Sequence, residues 1–373
     1  MLARFSVQNF KSFNEVFTLD LTQTKRFEFN ENCVKDSIVN HGLIYGPNGI
    51  GKSNLAFAVF DIIQNLTDKQ KRVEMYANYL NAESREEFAT FRYEFAFDQN
   101  AVVYTYTKRS YEEILSEELV INGEIVVRSQ RNGDQISNVE IALAGAENLK
   151  TDFSGARISI VKYIKNNTIL AENPTNSVLD RFFKFVDSML HFRSLDDRFY
   201  QGFELGTRDI FEDIINGNKI SEFQQFLSRA EIDCDLGIIV NNGKKRLAFK
   251  FGEKLIDFWD NSSTGTHALA LFYFWLQKMK RVESAPSLVF VDEFDAFYHQ
   301  AISEVIVREL IELGFQTILT THNTSLMSND LLRPDCYFQM SKKSITPFSS
   351  MTEKDIRKAH NIEKMYKSGM FHS

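Results

Sequence analysis

The sequence predicts an α/β fold with a mixed, mainly parallel core sheet, and three observations carry that prediction. A strand-like run at 37–45 leads into a glycine-rich loop at 46–53 and then a helix-like run at 54–66. A second apolar run, 288–291, ends in two carboxylates. A strand–helix–strand pattern over 288–321 joins that run to a further strand, and such units build parallel sheets.

The loop at 46–53 is typical of a phosphate-binding loop. Its glycines let successive backbone N–H groups curl around anionic oxygens, Lys52 reaches the β- and γ-phosphates, and the Ser53 hydroxyl holds magnesium. Strand, loop and helix occur in the order that the motif requires. The residues predicted to bind nucleotide here are Gly46, Asn48, Gly49, Gly51, Lys52, Ser53 and Asn54.

The long stretch between this loop and the acidic strand predicts an insertion. Residues 88–97 and 101–108 alternate apolar and polar side chains as a hairpin, and more strands are expected over 118–127, which together extend an antiparallel sheet beside the phosphate loop. Residues 154–228 are mainly helical in pattern, without the heptads of a long coiled coil. The predicted divisions are an N-terminal lobe at 1–150, a helical subdomain at 151–235 and a C-terminal lobe at 236–373.

The acidic strand end supplies the residue types that hydrolysis needs. Asp292 is predicted to hold the magnesium water shell, and Glu293 to polarise the attacking water. The next strand-like run, 315–321, ends at His322, which can hydrogen-bond to a γ-phosphate. If the two runs are neighbouring parallel strands, His322 lies beside Glu293.

Composition limits the remaining classes. The chain has 373 residues with a net charge of −7, and no apolar run reaches the length of a membrane span. The N-terminus lacks a secretory pattern, so a cytoplasmic protein without a membrane partner is expected. The negative charge disfavours nucleic acid, although Lys244-Lys245-Arg246 is either a local basic patch or a solvated hairpin tip. Cys33, Cys234 and Cys336 are interpreted as reduced structural thiols.

Together these motifs resemble the ABC-type ATPases, in the branch that contains SMC, RecF and OLD-like proteins. The segment 5–13 is similar to the family's first strand and turn, whose basic residue, here Lys11, contacts nucleotide phosphates. Asp295 resembles the aspartate that crosses the dimer seam, and His322 resembles the switch histidine. The resemblance covers 1–70 and 245–345 and implies an ABC-type P-loop fold that binds ATP with Mg²⁺.

The segment 261–266 occupies the place of the family's signature loop. Ser263 and Gly265 match the signature, whereas Thr264 and Thr266 depart from it. This form is similar to stand-alone ATPases of phage-defence and abortive-infection operons, and residues 364–371 resemble the tail of that subgroup. The resemblance implies at least a homodimer with two sandwiched ATP molecules, in which Ser263 and Gly265 act in trans. Hydrolysis of ATP to ADP and phosphate is then expected to loosen the dimer.

Three functions are compatible with these features. The first is a nucleotide-gated sensor or scaffold in antiviral defence that controls a separate effector, since the roughly fifty residues after His322 carry no second catalytic motif. The second is a RecF-like DNA-repair ATPase. The third is a toxin whose site is formed by His191, Arg193, Asp196, Asp197 and Arg198. The glutamine that contacts magnesium in this class is left open between Gln130 and Gln135.

Overall fold

The computed structural model describes most of the chain. The described residues are 1–69, 76–132, 135–150, 158–192, 200–202, 214–215, 219–241, 243–280, 285–296 and 299–371. The strands are β1 Leu2–Gln8, β2 Phe17–Asp20, β3 Val34–Lys35, β4 Ile38–Val39, β5 His41–Tyr45, β6 Ala89–Phe97, β7 Asn100–Lys108, β8 Ile114–Ile121, β9 Glu124–Asn132, β10 Gln135–Ile141, β11 Leu190–Phe192, β12 Tyr200–Gly202, β13 Leu236–Asn241, β14 Lys244–Phe251, β15 Lys254–Asp257, β16 Leu288–Val291, β17 Gln316–Thr321, β18 Tyr337–Met340 and β19 Ile345–Pro347. The α-helices are α1 Lys52–Val59, α2 Asp61–Leu66, α3 Ile160–Asn167, α4 Pro174–Asp187, α5 Ile220–Arg229, α6 Phe258–Asn261, α7 Thr264–Met279, α8 Gln300–Glu312 and α9 Ile362–Lys367.

The core sheet has the order β12-β11-β16-β17-β5-β18-β19, with the five inner strands parallel. β5 and β16 are buried along their whole length, as expected for strands covered on both faces. β17 lies between them, pairing Leu319 with Val291 of β16 and Thr321 with Tyr45 of β5. The carboxyl ends of the phosphate-loop strand and the acidic strand therefore flank the end of β17.

A second, antiparallel sheet has the order β10-β9-β8-β7-β6-β1-β2. Buried and partly exposed positions alternate along β6 and β7, which form the predicted hairpin around a tight turn in which Asp98 has φ 55. β8 and β9 add the further strands expected near 118–127. The mixed core sheet, the antiparallel extension and the mainly helical insertion confirm the predicted fold class.

One glutamine joins the two sheets. Gln316, at the start of β17, is 1% exposed. Its Oε1 accepts from the Leu2 backbone N–H at 2.8 Å, and its Nε2 donates to the Leu2 and Val39 carbonyls at 2.8 and 3.0 Å. Strand β1 of the antiparallel sheet is thereby fixed to the end of β17 opposite His322.

A buried ion pair ties the helix pair behind the phosphate loop to the antiparallel sheet. Lys108 Nζ lies 3.0 and 3.2 Å from the two carboxylate oxygens of Asp61, and both side chains have no exposed surface. The hydroxyls of Tyr79 and Tyr106 also donate to Asp61, at 3.0 and 2.9 Å. The carboxylate is satisfied on both oxygens, as a buried charge requires.

The insertion, predicted to be mainly helical, also contributes a strand to the core sheet. Helices α3, α4 and α5 are present, but β11 enters the core sheet beside β16. His191, at the centre of β11, is fully buried, and its ring packs against Phe57, Phe60 and Phe290. His191 is thus part of the aromatic core, while the proposed toxin partners Arg193, Asp196, Asp197 and Arg198 lie outside the described residues.

A small three-stranded sheet, β13-β14-β15, precedes the signature segment. Lys244 pairs with Asn241 at the tip of its first hairpin, and Lys245 is exposed. Arg246 lies 3.1 Å from Asp257. The run Lys244-Lys245-Arg246 therefore lies at a solvated hairpin tip. Within the described ranges, no helix has the length and apolar character needed to cross a membrane.

Candidate nucleotide site

The phosphate loop connects β5 to α1, and its backbone depends on glycine. Gly51, immediately before α1, has φ 106, and a Cβ there would lie 2.5 Å from Ser12 Oγ. A Cβ on Gly46 would lie 2.2 Å from Ile50 Cδ1. Gly49, with φ 79, has open space where a Cβ would stand. An anion can therefore approach the loop backbone at Gly49 without meeting a side chain.

Lys52 lies at the mouth of this loop. Its ammonium donates to the carbonyls of Gly46 and Pro47 at 2.8 and 3.1 Å, and the residue is 4% exposed. Burial lowers the pKa of Lys52, while the carboxylates of Glu293 and Asp292 oppose that shift. The cation thus faces the acidic strand end across the cleft, where a bound polyphosphate could compete for it.

The two predicted metal ligands are brought together. The Ser53 hydroxyl lies near enough to the carboxylate of Asp292 to lower its pKa, and Asp292 is 1% exposed. Thr320 Oγ1 donates to Asp292 Oδ1 at 2.5 Å. Burial raises the pKa of Asp292, and the hydroxyls of Ser53 and Thr320 oppose the shift. A neighbouring hydroxyl and carboxylate are hard oxygen donors suited to Mg²⁺.

Thr320 is a functional residue that the sequence reasoning missed. Its side-chain oxygen also accepts from the Glu293 backbone N–H at 2.8 Å, so one hydroxyl orders both members of the acidic pair. Glu293 itself has φ 45, a conformation uncommon for residues other than glycine. A threonine at the last position but one of β17, the strand beside the acidic strand β16, is the signal that could have identified it.

His322 follows β17 directly and is exposed at the cleft. Thr321 of β17 pairs with Tyr45 of β5. The residues that directly follow the two strands are His322 and Gly46, so the histidine lies beside the first residue of the phosphate loop. The expectation that β16 and β17 are neighbouring parallel strands is confirmed. The structure thus brings His322, Glu293 and the loop to one edge of the sheet.

Asp295 points inward in this chain. It is 6% exposed, and its Oδ2 accepts from Thr321 Oγ1 at 2.7 Å. Burial raises the pKa of Asp295, and the Thr321 hydrogen bond and nearby His322 oppose this. Nearby Asn323 also opposes the rise in the pKa of this carboxylate. Its role at a dimer seam stays a prediction, whereas its contacts hold the loop that carries His322.

The N-terminal turn covers one side of the loop. Lys11 has φ 48, and its ammonium donates to the Ala77 carbonyl at 3.1 Å and lies 5.9 Å from the Phe57 ring centroid. Burial lowers the pKa of Lys11. Asn54 Nδ2 donates to Ser12 Oγ at 2.9 Å, so the turn is bonded to the start of α1. Asn48 is exposed in the loop.

A cavity of about 630 Å³ lies between this turn and the phosphate loop. Its lining includes Lys11, Gly49, Asn81, Lys342 and Lys343. Sequence reasoning missed the last three, which come from distant segments that only the fold brings together. The cavity is large enough for a nucleoside beside the phosphate-binding backbone.

The signature segment begins helix α7. Ser263 is the N-cap, and its Oγ accepts from the Thr266 backbone N–H at 3.2 Å and lies 2.9 Å from Thr266 Oγ1. Thr266, one of the two departures from the usual signature, thus holds the Ser263 hydroxyl in place. Ser263 is exposed and Gly265 partly exposed, so both are available to a second molecule.

The open choice of magnesium glutamine is not resolved by position. Gln130 lies on β9 and Gln135 on β10, which are neighbouring strands at the end of the antiparallel sheet farthest from β1. Neither lines the cavity beside the phosphate loop.

The fold and site define a P-loop nucleoside triphosphatase fold of the ABC type. More particularly, residues 43–328 match the family described as "AAA domain, putative AbiEii toxin, Type IV TA system", and the chain belongs to that family. No curated protein sequence matches the chain.

Solved SMC heads resemble the chain in fold. The SMC head domain from Thermotoga maritima is 16% identical with a TM-score of 0.44, over 93% of this chain and 98% of that one. An SMC head bound to the C-terminal winged-helix domain of ScpA is 15% identical with a TM-score of 0.44, over 93% and 97%. An SMC head with an extended coiled coil, bound to the C-terminal domain of ScpA from Pyrococcus furiosus, is 12% identical with a TM-score of 0.43, over 92% and 95%.

The residues present fit a magnesium nucleotide. The open backbone at Gly49 fits an anion, and the nearby Lys52 ammonium supplies a cation. The Ser53 hydroxyl and the Asp292 carboxylate would hold the metal, which would neutralise phosphate charge. Glu293 stands next to them with its backbone fixed by Thr320.

Proposed function

We propose that this protein is a nucleotide-gated, homodimeric ATPase that controls a separate effector protein in prokaryotic antiviral defence. The observation that carries the ATPase part is the convergence of Lys52, Ser53, Asp292, Glu293 and His322 at one edge of the core sheet. The order β16-β17-β5 produces that convergence from segments more than two hundred residues apart.

Each residue then has a distinct task. Lys52 releases the loop carbonyls and binds the β- and γ-phosphate oxygens, while Ser53 and Asp292 hold the metal. Glu293 accepts the hydrogen bond of the attacking water and places it in line with the γ-phosphate. His322 donates to a γ-phosphate oxygen and so distinguishes the triphosphate from the diphosphate.

The second half of the site comes from a partner copy. Ser263 caps helix α7, so its hydroxyl and the first N–H groups of that helix form an anion-binding end. Exposure of Ser263 leaves this end available to close over the γ-phosphate of another subunit. Loss of that phosphate on hydrolysis removes the bridge and loosens the dimer.

The defence role rests on the family, whose description names a "putative AbiEii toxin" and a "Type IV TA system". The described residues after His322 include α9, whose Tyr366 ring stacks on Phe348 of the core, and the effector is proposed as a separate protein. Nucleotide state is then the signal that holds or releases the effector.

The test compares the wild-type protein with Lys52→Ala, Glu293→Gln and Ser263→Ala. We expect Lys52→Ala to lose nucleotide binding, because the phosphates lose their buried cation. Glu293→Gln should keep binding, lose hydrolysis by at least about a hundredfold and accumulate an ATP-dependent dimer. Ser263→Ala should bind ATP as a monomer but fail to dimerise.

Lys358→Ala is the matched control, since Lys358 is exposed and far from the loop in sequence. Equal hydrolysis by wild type and Glu293→Gln would refute the assignment of the base. ATP-stimulated binding of duplex DNA, abolished by salt, would instead favour the repair function. Mass measurement of proteins that copurify from the native operon tests the effector.

A further inference from the structure

The three-stranded sheet β13-β14-β15 concentrates exposed apolar surface. Ten large apolar side chains are exposed among the described residues, and five of them lie on this sheet: Ile238 at 37%, Val240 at 69%, Phe251 at 62%, Leu255 at 42% and Ile256 at 41%. Scattered exposed apolar residues need no explanation, but half of them on 22 residues indicate an interaction surface.

The same sheet is basic in an acidic protein. Residues 236–257 contain five basic and two acidic side chains, whereas the whole chain has a net charge of −7. Lys244, Lys245, Lys250 and Lys254 are exposed. By cross-strand register, Lys245 is beside Val240 and Lys254 is beside Phe251, so two lysines share a face with exposed apolar residues. We call β13-β14-β15 the basic sheet.

The basic sheet is fixed to the signature loop. Arg246 lies 3.1 Å from Asp257, whose Oδ1 accepts from the backbone N–H groups of Trp259 and Asp260 at 3.0 and 3.1 Å. Ser263 follows within six residues. A subunit that presents Ser263 to a partner therefore presents the basic sheet close by.

One side of the phosphate-loop cleft has the opposite charge, although Lys11, Lys342 and Lys343 also line the cavity. Glu15 and Glu83 line the cavity beside Gly49. Exposed residues next to them in sequence are also mainly acidic, and we define the acidic rim as Glu15, Val16, Glu83, Arg85, Glu86, Glu87 and Phe88, in which four glutamates outnumber one arginine. Val16 is 59% and Phe88 is 37% exposed. The segment 83–88 of the rim is held in place, because Asn9 Nδ2 donates to the carbonyls of Glu86 and Phe88 at 2.7 and 2.8 Å.

We infer that the basic sheet of one subunit docks on the acidic rim of a second copy of this chain. The inference rests on the proposed function, in which the signature loop of one copy covers the phosphate loop of the other. Each surface lies next to one of those two loops, and each combines exposed apolar side chains with charge of opposite sign. In a two-fold symmetric dimer the contact occurs twice, so each change counts twice.

Aliphatic side chains favour a protein partner over nucleic acid. Four of the five exposed apolar residues of the basic sheet are aliphatic, and Phe251 is the aromatic one. Single-stranded nucleic acid binds through several stacked aromatic platforms, and Phe251 is the one large aromatic side chain exposed among the described residues of this sheet. The second copy also supplies the matching apolar residues, Val16 and Phe88.

The experiment uses the Glu293→Gln full chain with Mg-ATP and measures the dimer dissociation constant by analytical ultracentrifugation. We expect Lys245→Glu/Lys254→Glu to weaken dimerisation by about tenfold or more, and Glu86→Lys/Glu87→Lys to do likewise. A chain carrying all four reversals should dimerise within about threefold of the parent, because complementarity is restored. Lys354→Glu/Lys358→Glu, a matched reversal of two exposed lysines, should have no effect.

The outcomes separate the two proposals. A parent protein that binds ATP yet stays monomeric overturns the proposed dimer. A parent that dimerises, with both reversals indistinguishable from the control, overturns only the docking of the basic sheet on the acidic rim. If each double reversal weakens dimerisation and the variant that carries all four reversals does not recover it, the pairing of these two surfaces is overturned. Duplex or single-stranded DNA binding that disappears in Lys245→Glu/Lys254→Glu while dimerisation is unchanged also overturns it.

Discussion

Replacement of Lys108 by methionine tests the buried ion pair that joins α2 to the antiparallel sheet. Lys108 Nζ lies 3.0 and 3.2 Å from the Asp61 oxygens, and both side chains are fully buried. Methionine retains most of the apolar stem and removes the charge. The Asp61 carboxylate then stays in the core with the hydroxyls of Tyr79 and Tyr106 as donors.

The expected loss follows from the distances. Unit charges about 3 Å apart attract by about 5 kcal/mol at an effective dielectric constant of about 20. The two tyrosine hydroxyls continue to solvate the carboxylate, so the net loss is smaller than the cost of an isolated buried charge. Breaking a buried pair from one side costs about 3–5 kcal/mol. We expect Lys108→Met to lower the free energy of unfolding by that amount.

Urea unfolding followed by tryptophan fluorescence measures the effect. The double variant Asp61→Asn/Lys108→Met removes both charges and should recover at least half of the loss, because no unpaired charge remains. Lys358→Met, at an exposed position, should change the free energy of unfolding by less than about 0.5 kcal/mol. A Lys108→Met loss below about 1 kcal/mol, or a double variant less stable than the single one, would refute the reasoning.

Three further predictions concern the site. Burial raises the pKa of Asp292, so this carboxylate should gain a proton, and Mg²⁺-dependent nucleotide binding should weaken, at a higher pH than for an ordinary aspartate. Mg²⁺ titrations between about pH 5 and pH 8 check this, and a pH-independent affinity contradicts it. Gly51→Ala should lose nucleotide binding, because its Cβ would lie 2.5 Å from Ser12 Oγ at φ 106; calorimetry with an ATP analogue tests it against Gly123→Ala, where φ is 86 but space is open. Thr321→Val removes a hydrogen bond to Asp295, whose pKa is raised by burial, and should lower the free energy of unfolding by about 1–3 kcal/mol. Because the hydrogen bond stabilises the charged carboxylate, this loss should grow as the pH rises through the pKa of Asp295. Equal losses at low and high pH would contradict this.

Local patterns predicted the parts of the fold that local physics determines. The glycine spacing at 46–53 predicted the phosphate loop, because residues other than glycine rarely adopt the φ of 106° that Gly51 has there. Alternation gave the β6–β7 hairpin, since one face of that sheet is covered. The buried runs β16 and β17, with α8 between them, gave the parallel unit that places Glu293 and His322.

Long-range pairing accounts for what the sequence did not reveal. Strand β11 has three residues, too short for a period, and only its pairing with β16 makes it part of the core sheet. Asp61 and Lys108 are 47 residues apart and look like ordinary surface charges in sequence. The interpretation of the cysteines as structural holds for Cys33 and Cys336, which are buried, but they are adjacent: the Cys336 thiol donates to the Cys33 carbonyl at 3.7 Å.

The hydrogen bonds of Gln316 fix the position of β17 along its own axis. The strand is six residues long, about 20 Å, with three side-chain hydrogen bonds at one end and His322 just past the other. Any slip of β17 along its axis would break those bonds to Leu2 and Val39 at once. His322 can therefore move only through the residues after Thr321. Its distance from the phosphate loop then changes without any shift of β17.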